Sequence, residues 1–205
     1  MNAAVITETR TKRNINDIIH DHLSYLPDDY ELVIFCSEEN KHLFKEFNCK
    51  KYIVRVHSLA TYNVLMTSSY YWDKLIHYER VLIIQWESRI LRKGIEKFYK
   101  YDYVGAPWKF QERGGNGGLS LRNPKVMKET ILKVPYSISL GYEDVYFCNQ
   151  MKGKLAPRSI CKTFSCETIF ELNTFGFHAI QNYLSSDECE QIKNQYKKYH
   201  GSLLS

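Results

Sequence analysis

Four of the chain's ten glycines fall within Gly114-Gly115-Asn116-Gly117-Gly118-Leu119-Ser120-Leu121-Arg122, and Gly141-Tyr142-Glu143-Asp144 follows about one helix later. Such glycine density removes Cβ atoms where the backbone turns sharply or lies close to a ligand. Two adjacent carboxylates shortly afterwards suit a site where a ligand is held and a proton is removed. Plainer readings stand beside this one. Gly114 to Gly118 also reads as a loose hairpin, and Glu143-Asp144 as the cap of a helix beginning near Val145.

The elements that must position these residues can be read in order. Ala3 to Thr7 is an apolar run feeding the polar Thr7-Glu8-Thr9-Arg10, a first strand and its loop. Ile15, Ile18, Ile19, His22 and Leu23 recur at helical spacing before Pro27. Glu31 to Cys36 is a second strand, and Ser37 is placed to cap a helix running through about Phe47. Tyr52 to Val56 makes a third strand, Thr61 to His77 a helix, and Val81-Leu82-Ile83-Ile84 a buried fourth strand. This alternation predicts an α/β fold of Rossmann type, with a mostly parallel sheet and a smaller mixed second half. Ligands on such sheets lie at the carboxyl ends of the strands, here Thr7 to Arg10 and Gln85 to Ser88. The expected organisation is one domain over 1–184, with a nucleotide-binding half at about 1–92 and an acceptor half at about 93–184, followed by a helix over 185–205. Ser185 and Glu188 have the spacing of a capping box for that helix, with Ser186 as an alternative cap.

Bulk properties narrow the function classes. The chain has 205 residues, 44% hydrophobic and 25% charged, as in a globular protein with a real core. Net charge is +5, with Arg10-Thr11-Lys12-Arg13 as the tightest basic group, which suits a small anionic ligand better than a nucleic acid. Apolar runs fall short of the roughly 18 residues of a membrane span, and the start of the chain lacks the pattern of a signal peptide. The six cysteines show no metal-type spacing and read as reduced thiols, which predicts a cytoplasmic setting.

Several stretches together resemble a glycosyltransferase family of bacteria, fungi and large DNA viruses: Val81 to Ser88 (VLIIQWES), Tyr101 to Trp108 (YDYVGAPW), the GGNGGLSLR stretch, Glu143-Asp144 in GYEDVYF, and Phe175 to His178 (FGFH). Their order is also similar to the general plan of GT-A fold glycosyltransferases. The resemblance implies transfer of a sugar from a nucleoside-diphosphate sugar, with UDP or GDP, to a hydroxyl of a glycan or other acceptor. It implies Asp144 as the base of an inverting reaction, with Glu143 binding the acceptor or raising the Asp144 pKa by its charge. Donor contacts would come from Thr7, Glu8, Arg10, Tyr62, Asn63, Gln85, Trp86 and Glu87. Sugar or acceptor contacts would come from Trp108, Gly115, Asn116, Gly117, Gly118 and Ser120. Leaving-group charge would be met by Arg10 or Arg122.

The resemblance also implies a divalent cation, Mn²⁺ or Mg²⁺, held by Glu87 and His178. The family's Asp-x-Asp stands here as Gln85-Trp86-Glu87, so one carboxylate remains. Taken alone, Glu87 also reads as a solvated residue capping the next helix, His178 as a buried structural histidine, Arg10 as part of a basic turn and Trp108 as core. The competing function is a non-catalytic nucleotide- or carbohydrate-binding module on a decayed transferase fold. A glycoside hydrolase fits poorly, because adjacent carboxylates cannot easily flank one bond.

Overall fold

The computed structural model describes residues 1–12 and 14–200; Arg13 and the last five residues of the expected terminal helix lie outside the described residues. Strand β1 (Asn2–Thr7) leads to α1 (Ile15–Ser24), β2 (Tyr30–Cys36) and β3 (Lys50–Ile53), then to α2 (Leu59–Met66), α3 (Ser69–Leu75) and β4 (Val81–Ile84). The second half holds β5 (Ser88–Ile90), β6 (Tyr103–Gly105), β7 (Leu119–Arg122), α4 (Pro124–Lys133), α5 (Glu143–Gln150), α6 (Arg158–Phe164), β8 (Ser165–Cys166), β9 (Gly176–His178) and α7 (Ser186–His200).

Six strands form one sheet in the order β3-β2-β1-β4-β7-β6. Strands β1 to β4 are mutually parallel, while β7 runs antiparallel between β4 and β6. Alternate residues of β1 enter opposite layers, as the two-residue period of a strand requires. Ala4 and Ile6 pack with Ile15, Ile19, Cys161 and Phe164 on the α1/α6 face. Ala3 and Val5 pack with Trp72, Met127, Tyr146 and Phe147 on the face covered by α2 to α5. A three-stranded sheet, β5-β9-β8, closes one end. Helix α7 docks there, with Ile192 buried among Leu91, Cys166, Phe177 and Ile180. Its start is the expected capping box: Glu188 Oε2 accepts from the Ser185 N–H at 2.8 Å, and the Glu188 N–H donates to Ser185 Oγ at 3.3 Å.

Local departures from the sequence reading have identifiable causes. Instead of an α-helix through Phe47 there is a turn and a short 3₁₀ segment, Lys41–Phe44. Ser37 caps no α-helix, because its N–H donates to Asn40 Oδ1 (2.8 Å) while the Asn40 N–H donates to Ser37 Oγ (3.2 Å), closing a tight loop. The span Thr61 to His77 is two helices. Thr67 Oγ1 and Ser68 Oγ donate to the carbonyls of Asn63 and Leu65, and Ser68 Oγ then accepts from the Tyr71 N–H to start α3. Strand β3 lies about two residues earlier than Tyr52 to Val56, in register with β2 from Val33 to Cys36. Glu87 caps no helix; strand β5 follows it directly.

Candidate active site

Two cavities open side by side at the carboxyl ends of β1 and β4. The larger, about 590 Å³, is lined by Thr7, Glu8, Thr9 and Arg10 after β1, by Gln85, Trp86 and Glu87 after β4, and by Val56 to Leu59 with Tyr62. It occupies the crevice where strand order reverses, since β1 has β2 on one side and β4 on the other. The smaller, about 290 Å³, is lined by Asn63, Trp108, Asn116 to Gly118, Glu143, Asp144, Glu167 and His178 among others. Leu59, Tyr62 and Gln85 belong to both, so these side chains form the wall between the two.

The β1 loop is built around a charge pair. Arg10 Nε and Nη2 donate to Glu8 Oε1 and Oε2 at 2.8 and 2.7 Å, and the Arg10 N–H adds a third bond to Oε1. Glu8 is buried, whereas the Arg10 side chain is 61% exposed. The hydrogen bonds to Glu8 raise the Arg10 pKa, with the charges of Glu8 and Glu87 adding to them. Asn40 fixes the loop from below: its Nδ2 donates to the carbonyls of Glu8 (2.8 Å) and Arg10 (2.9 Å).

The second cavity rests on a buried ion pair. Arg122 Nη1 and Nη2 donate to Glu143 Oε2 and Oε1 at 2.6 and 2.9 Å, with the two side chains 0% and 4% exposed. The guanidinium lies over the Tyr103 ring, 4.8 Å from its centroid. Arg122 Nε donates to Ser120 Oγ, which donates to the Gly117 carbonyl. Arg122 is therefore spent inside the protein and offers no charge to a leaving group. Ser120 is buried in the same network and lines neither cavity. Glu143 is likewise not free to bind an acceptor, but its charge reaches Asp144. Burial first, and Glu143 second, push the Asp144 carboxyl up to about 7, against the bonds donated by the Val145 and Gly117 N–H groups and the charge of Arg122. Those bonds are 2.8 Å to Oδ1 and 3.0 Å to Oδ2.

The glycines answer to the protein's own side chains. A Cβ on Gly117 would overlap Glu143 Oε1, and one on Gly118 would overlap the His178 ring. Gly115 lies below the cavity, with its carbonyl accepting from Tyr103 Oη at 3.0 Å; a Cβ there would meet the Gly105 backbone. Gly114 has φ +94° and packs on Cys148 and Trp108. Asn116 does line the cavity, and its Oδ1 accepts from the Gly118 N–H. Trp108 is nearly buried and stacks on Phe110, so it is both core and cavity wall.

His178 stands between two partners. Its Nδ1 is 2.9 Å from Glu167 Oε1 and its Nε2 is 3.0 Å from Gln85 Oε1, while Gln85 Nε2 donates to Tyr62 Oη at 3.0 Å. Glu167, absent from the sequence reading, holds the imidazole from behind. Strands β5 and β9 set His178 opposite Ser88. Glu87 and His178 line different cavities, and both ring nitrogens are engaged. As arranged, this donor set does not fit a cation shared by those two residues. Among the described residues, no group of three or more His, Cys, Asp or Glu side chains is placed to hold a metal ion. Asn63, buried beside the cavity, accepts the Glu143 N–H at 3.0 Å through Oδ1, while its Nδ2 has no partner among the described residues.

The expected site residues thus fall into four groups. Thr7, Glu8, Arg10, Trp86 and Glu87 gather at the larger cavity; Asn63, Trp108, Asn116, Gly117, Gly118, Glu143, Asp144 and His178 at the smaller; Tyr62 and Gln85 at their boundary. Gly115 and Ser120 lie outside both. Thr9 and Tyr142, inside the stretches singled out above, join the lining, and so do His57, Glu167, Thr168 and Tyr183, which no motif announced.

Among the described residues, no helix is long and apolar enough to cross a membrane. No curated protein matches the chain. Among solved structures it is similar to the apo form of the glycosyltransferase GlyE of Streptococcus pneumoniae TIGR4, at TM-score 0.54 and 11% identity over 97% of this chain and 59% of that one. It is also similar to TarS 1–349 of S. aureus, at TM-score 0.50 and 10% identity over 98% of this chain and 65% of that one. The chain therefore spans about three fifths of the length of these two neighbours, and at such identities the likeness is one of fold: a glycosyltransferase-like, GT-A-type α/β architecture. Residues 41–178, about two thirds of the sequence, match the family described as protein of unknown function DUF5672, and the chain belongs to that family.

Proposed function

We propose that the chain is a glycosyltransferase moving a sugar from a UDP- or GDP-sugar to an acceptor hydroxyl, with inversion, and with Asp144 as the base. The observation that carries this is the pair of adjoining cavities at the β1/β4 crevice, one bearing the exposed Arg10 guanidinium and the other the Asp144 carboxylate. The nucleotide diphosphate is assigned to the first and the acceptor to the second, with transfer across the wall of Tyr62 and Gln85. A carboxyl pushed up to about 7 is matched to removing a proton near neutrality, because the base must be ionised yet not too weak. Arg10, held in aim by Glu8, meets the charge that develops on the departing diphosphate.

No step is assigned to a Mn²⁺ or Mg²⁺ ion, because His178 has both nitrogens engaged and Glu87 is left as the lone carboxylate of the expected pair. Six unpaired cysteines, four of them buried, suit the cytoplasmic setting that belongs to the same proposal. Titration calorimetry with UDP and GDP tests the donor half: at least one should bind, and binding by neither would sink the reading. Asp144→Asn should lower transfer by about 10²- to 10⁴-fold while donor affinity stays within about a few fold.

A second reading, a binding module without catalysis, is favoured by one observation: Gln85 replaces a carboxylate and spends its amide on His178 and Tyr62. Slow release of UDP or GDP from a panel of nucleotide sugars without acceptor supports the enzyme. Binding with no turnover under any condition supports the module.

A further inference from the structure

Cavity walls that collect exposed rings call for an explanation, because each ring left in water forgoes about 25 cal/mol per Å² that burial would recover. Single exposed apolar side chains are ordinary, but a cluster is not. Among the described residues the strongly exposed aromatic side chains are Tyr70, Phe110, Tyr142 and Tyr183, and the last three all line the smaller cavity. Leu59, also more than half exposed, completes the rim. These four come from separate segments: the start of α2, the loop after β6, the residue before α5, and the end of the 3₁₀ turn Ile180–Asn182. Neither Tyr142 nor Tyr183 has a hydrogen-bond partner for its hydroxyl among the described residues, so no internal bond accounts for their placement.

Beneath the rim the cavity is polar. Asn63, Asn116, Asp144, Glu167, Thr168 and His178 supply donors and acceptors, and the lining includes no lysine or arginine. Carboxylates without a basic counterpart at the surface of the cavity disfavour a phosphate-bearing occupant. An aliphatic occupant would leave the polar floor unpaired. A volume of about 290 Å³ admits a small ring system rather than a folded segment. The occupant that satisfies all of this is neutral, rich in hydroxyls and apolar on one face.

We infer that the smaller cavity takes a carbohydrate acceptor, whose pyranose C–H face stacks on Phe110, Tyr142 and Tyr183 while its hydroxyls reach Asn116, Thr168 and Asp144. The inference rests on the transferase reading for the direction of transfer, and narrows its acceptor from any hydroxyl to a sugar. The rim residues act by binding; Asp144 alone among those named touches the reacting hydroxyl.

The test uses the full chain saturated with UDP or GDP, whichever binds, and a panel of neutral saccharides (cellobiose, maltotriose, chitotriose) beside a serine-containing peptide, followed by saturation-transfer NMR. At least one saccharide should bind, with the strongest transfer to its C–H protons. Tyr142→Ala and Tyr183→Ala should each weaken it about 3- to 10-fold, and Tyr142→Phe should restore it, with nucleotide affinity unchanged. Saccharide binding that ignores both alanine variants would overturn the inference, as would a nucleotide-bound protein that takes no saccharide of the panel, whether or not it takes the peptide. Failure of both nucleotides to bind the wild type is a different result, and removes the transferase reading itself.

Discussion

The two cavities are each organised by a bidentate arginine–glutamate pair, and the pairs have opposite fates. Arg10 reaches from a buried Glu8 into the open, 61% exposed, whereas Arg122 and Glu143 are sealed together under Tyr103. The same chemistry therefore does two jobs. The half-open pair turns its cation toward the cavity, while its buried carboxylate has one other donor, the Arg10 N–H. A sealed pair presents nothing, but one unpaired member would be a charge stranded in a low dielectric. Burial raises the Asp144 carboxyl most, the Glu143 charge adds to it, and Arg122 opposes both.

The sharpest way to break this contrast is to unpair each in turn. Glu143→Gln should cost about 3–5 kcal/mol, because it strands Arg122, and thermal melts should show it as a drop of roughly 10 °C. Arg122→Met combined with Glu143→Leu should recover most of that loss; no recovery would mean that the pair supplies more than mutual neutralisation. Arg10→Ala leaves the buried Glu8 carboxylate with the Arg10 N–H alone, and should cost about 1–3 kcal/mol, less than stranding Arg122 because this site opens to water. In calorimetry it should weaken UDP or GDP binding by about tenfold, the worth of one charge-assisted contact.

Asp144 offers a test with a defined sign. Its folded pKa of about 7 lies above the ordinary 3.8, so the folded chain holds a proton that the unfolded chain has already released between those values. Stability should therefore fall as pH rises from about 4 to about 7. Asp144→Asn should raise the melting temperature by a few degrees at pH 8 and change it little at pH 4. In the wild type, transfer should rise with pH to a plateau with its midpoint near 7. The smallest expected effect concerns the open pair: chelation by EDTA should alter nucleotide binding by less than about twofold, with Arg10 supplying the charge. A large loss would put a cation beside Glu87 after all.

Much of the framework was legible because it depends on local pattern. The unbroken apolar run of β4 and the alternating partners of β1 follow from strand periodicity alone, and they place Gln85 and Thr7 at the same edge. Ser185 and Glu188 are likewise a local signal with one geometric solution. What escaped notice needed contacts distant in sequence. Ser37 reads as a helix cap until Asn40 takes its N–H, and Thr67-Ser68 reads as helix until both hydroxyls bind carbonyls. Glu167 carried no signal, since a lone glutamate in a short strand region normally faces water; here it is turned onto His178. The glycine cluster was visible as a demand for space, but the occupants of that space are Glu143 and the His178 ring. Arg122 looked available because nothing near it in the sequence reveals a partner twenty-one residues on, and Ser120 is drawn into the same network through Arg122.

Asn40 has a consequence for how tightly the first cavity can hold anything. Every polar atom of its amide is committed, with Oδ1 accepting from Ser37 and Nδ2 donating to two carbonyls of the Glu8–Arg10 segment. The guanidinium's mounting is thus rigid before any ligand arrives, and the entropy of arranging that segment is lost when the chain folds rather than when a nucleotide docks. Loosening the anchor at a residue that lines neither cavity should therefore slow nothing chemical, yet make every anion in the crevice easier to release.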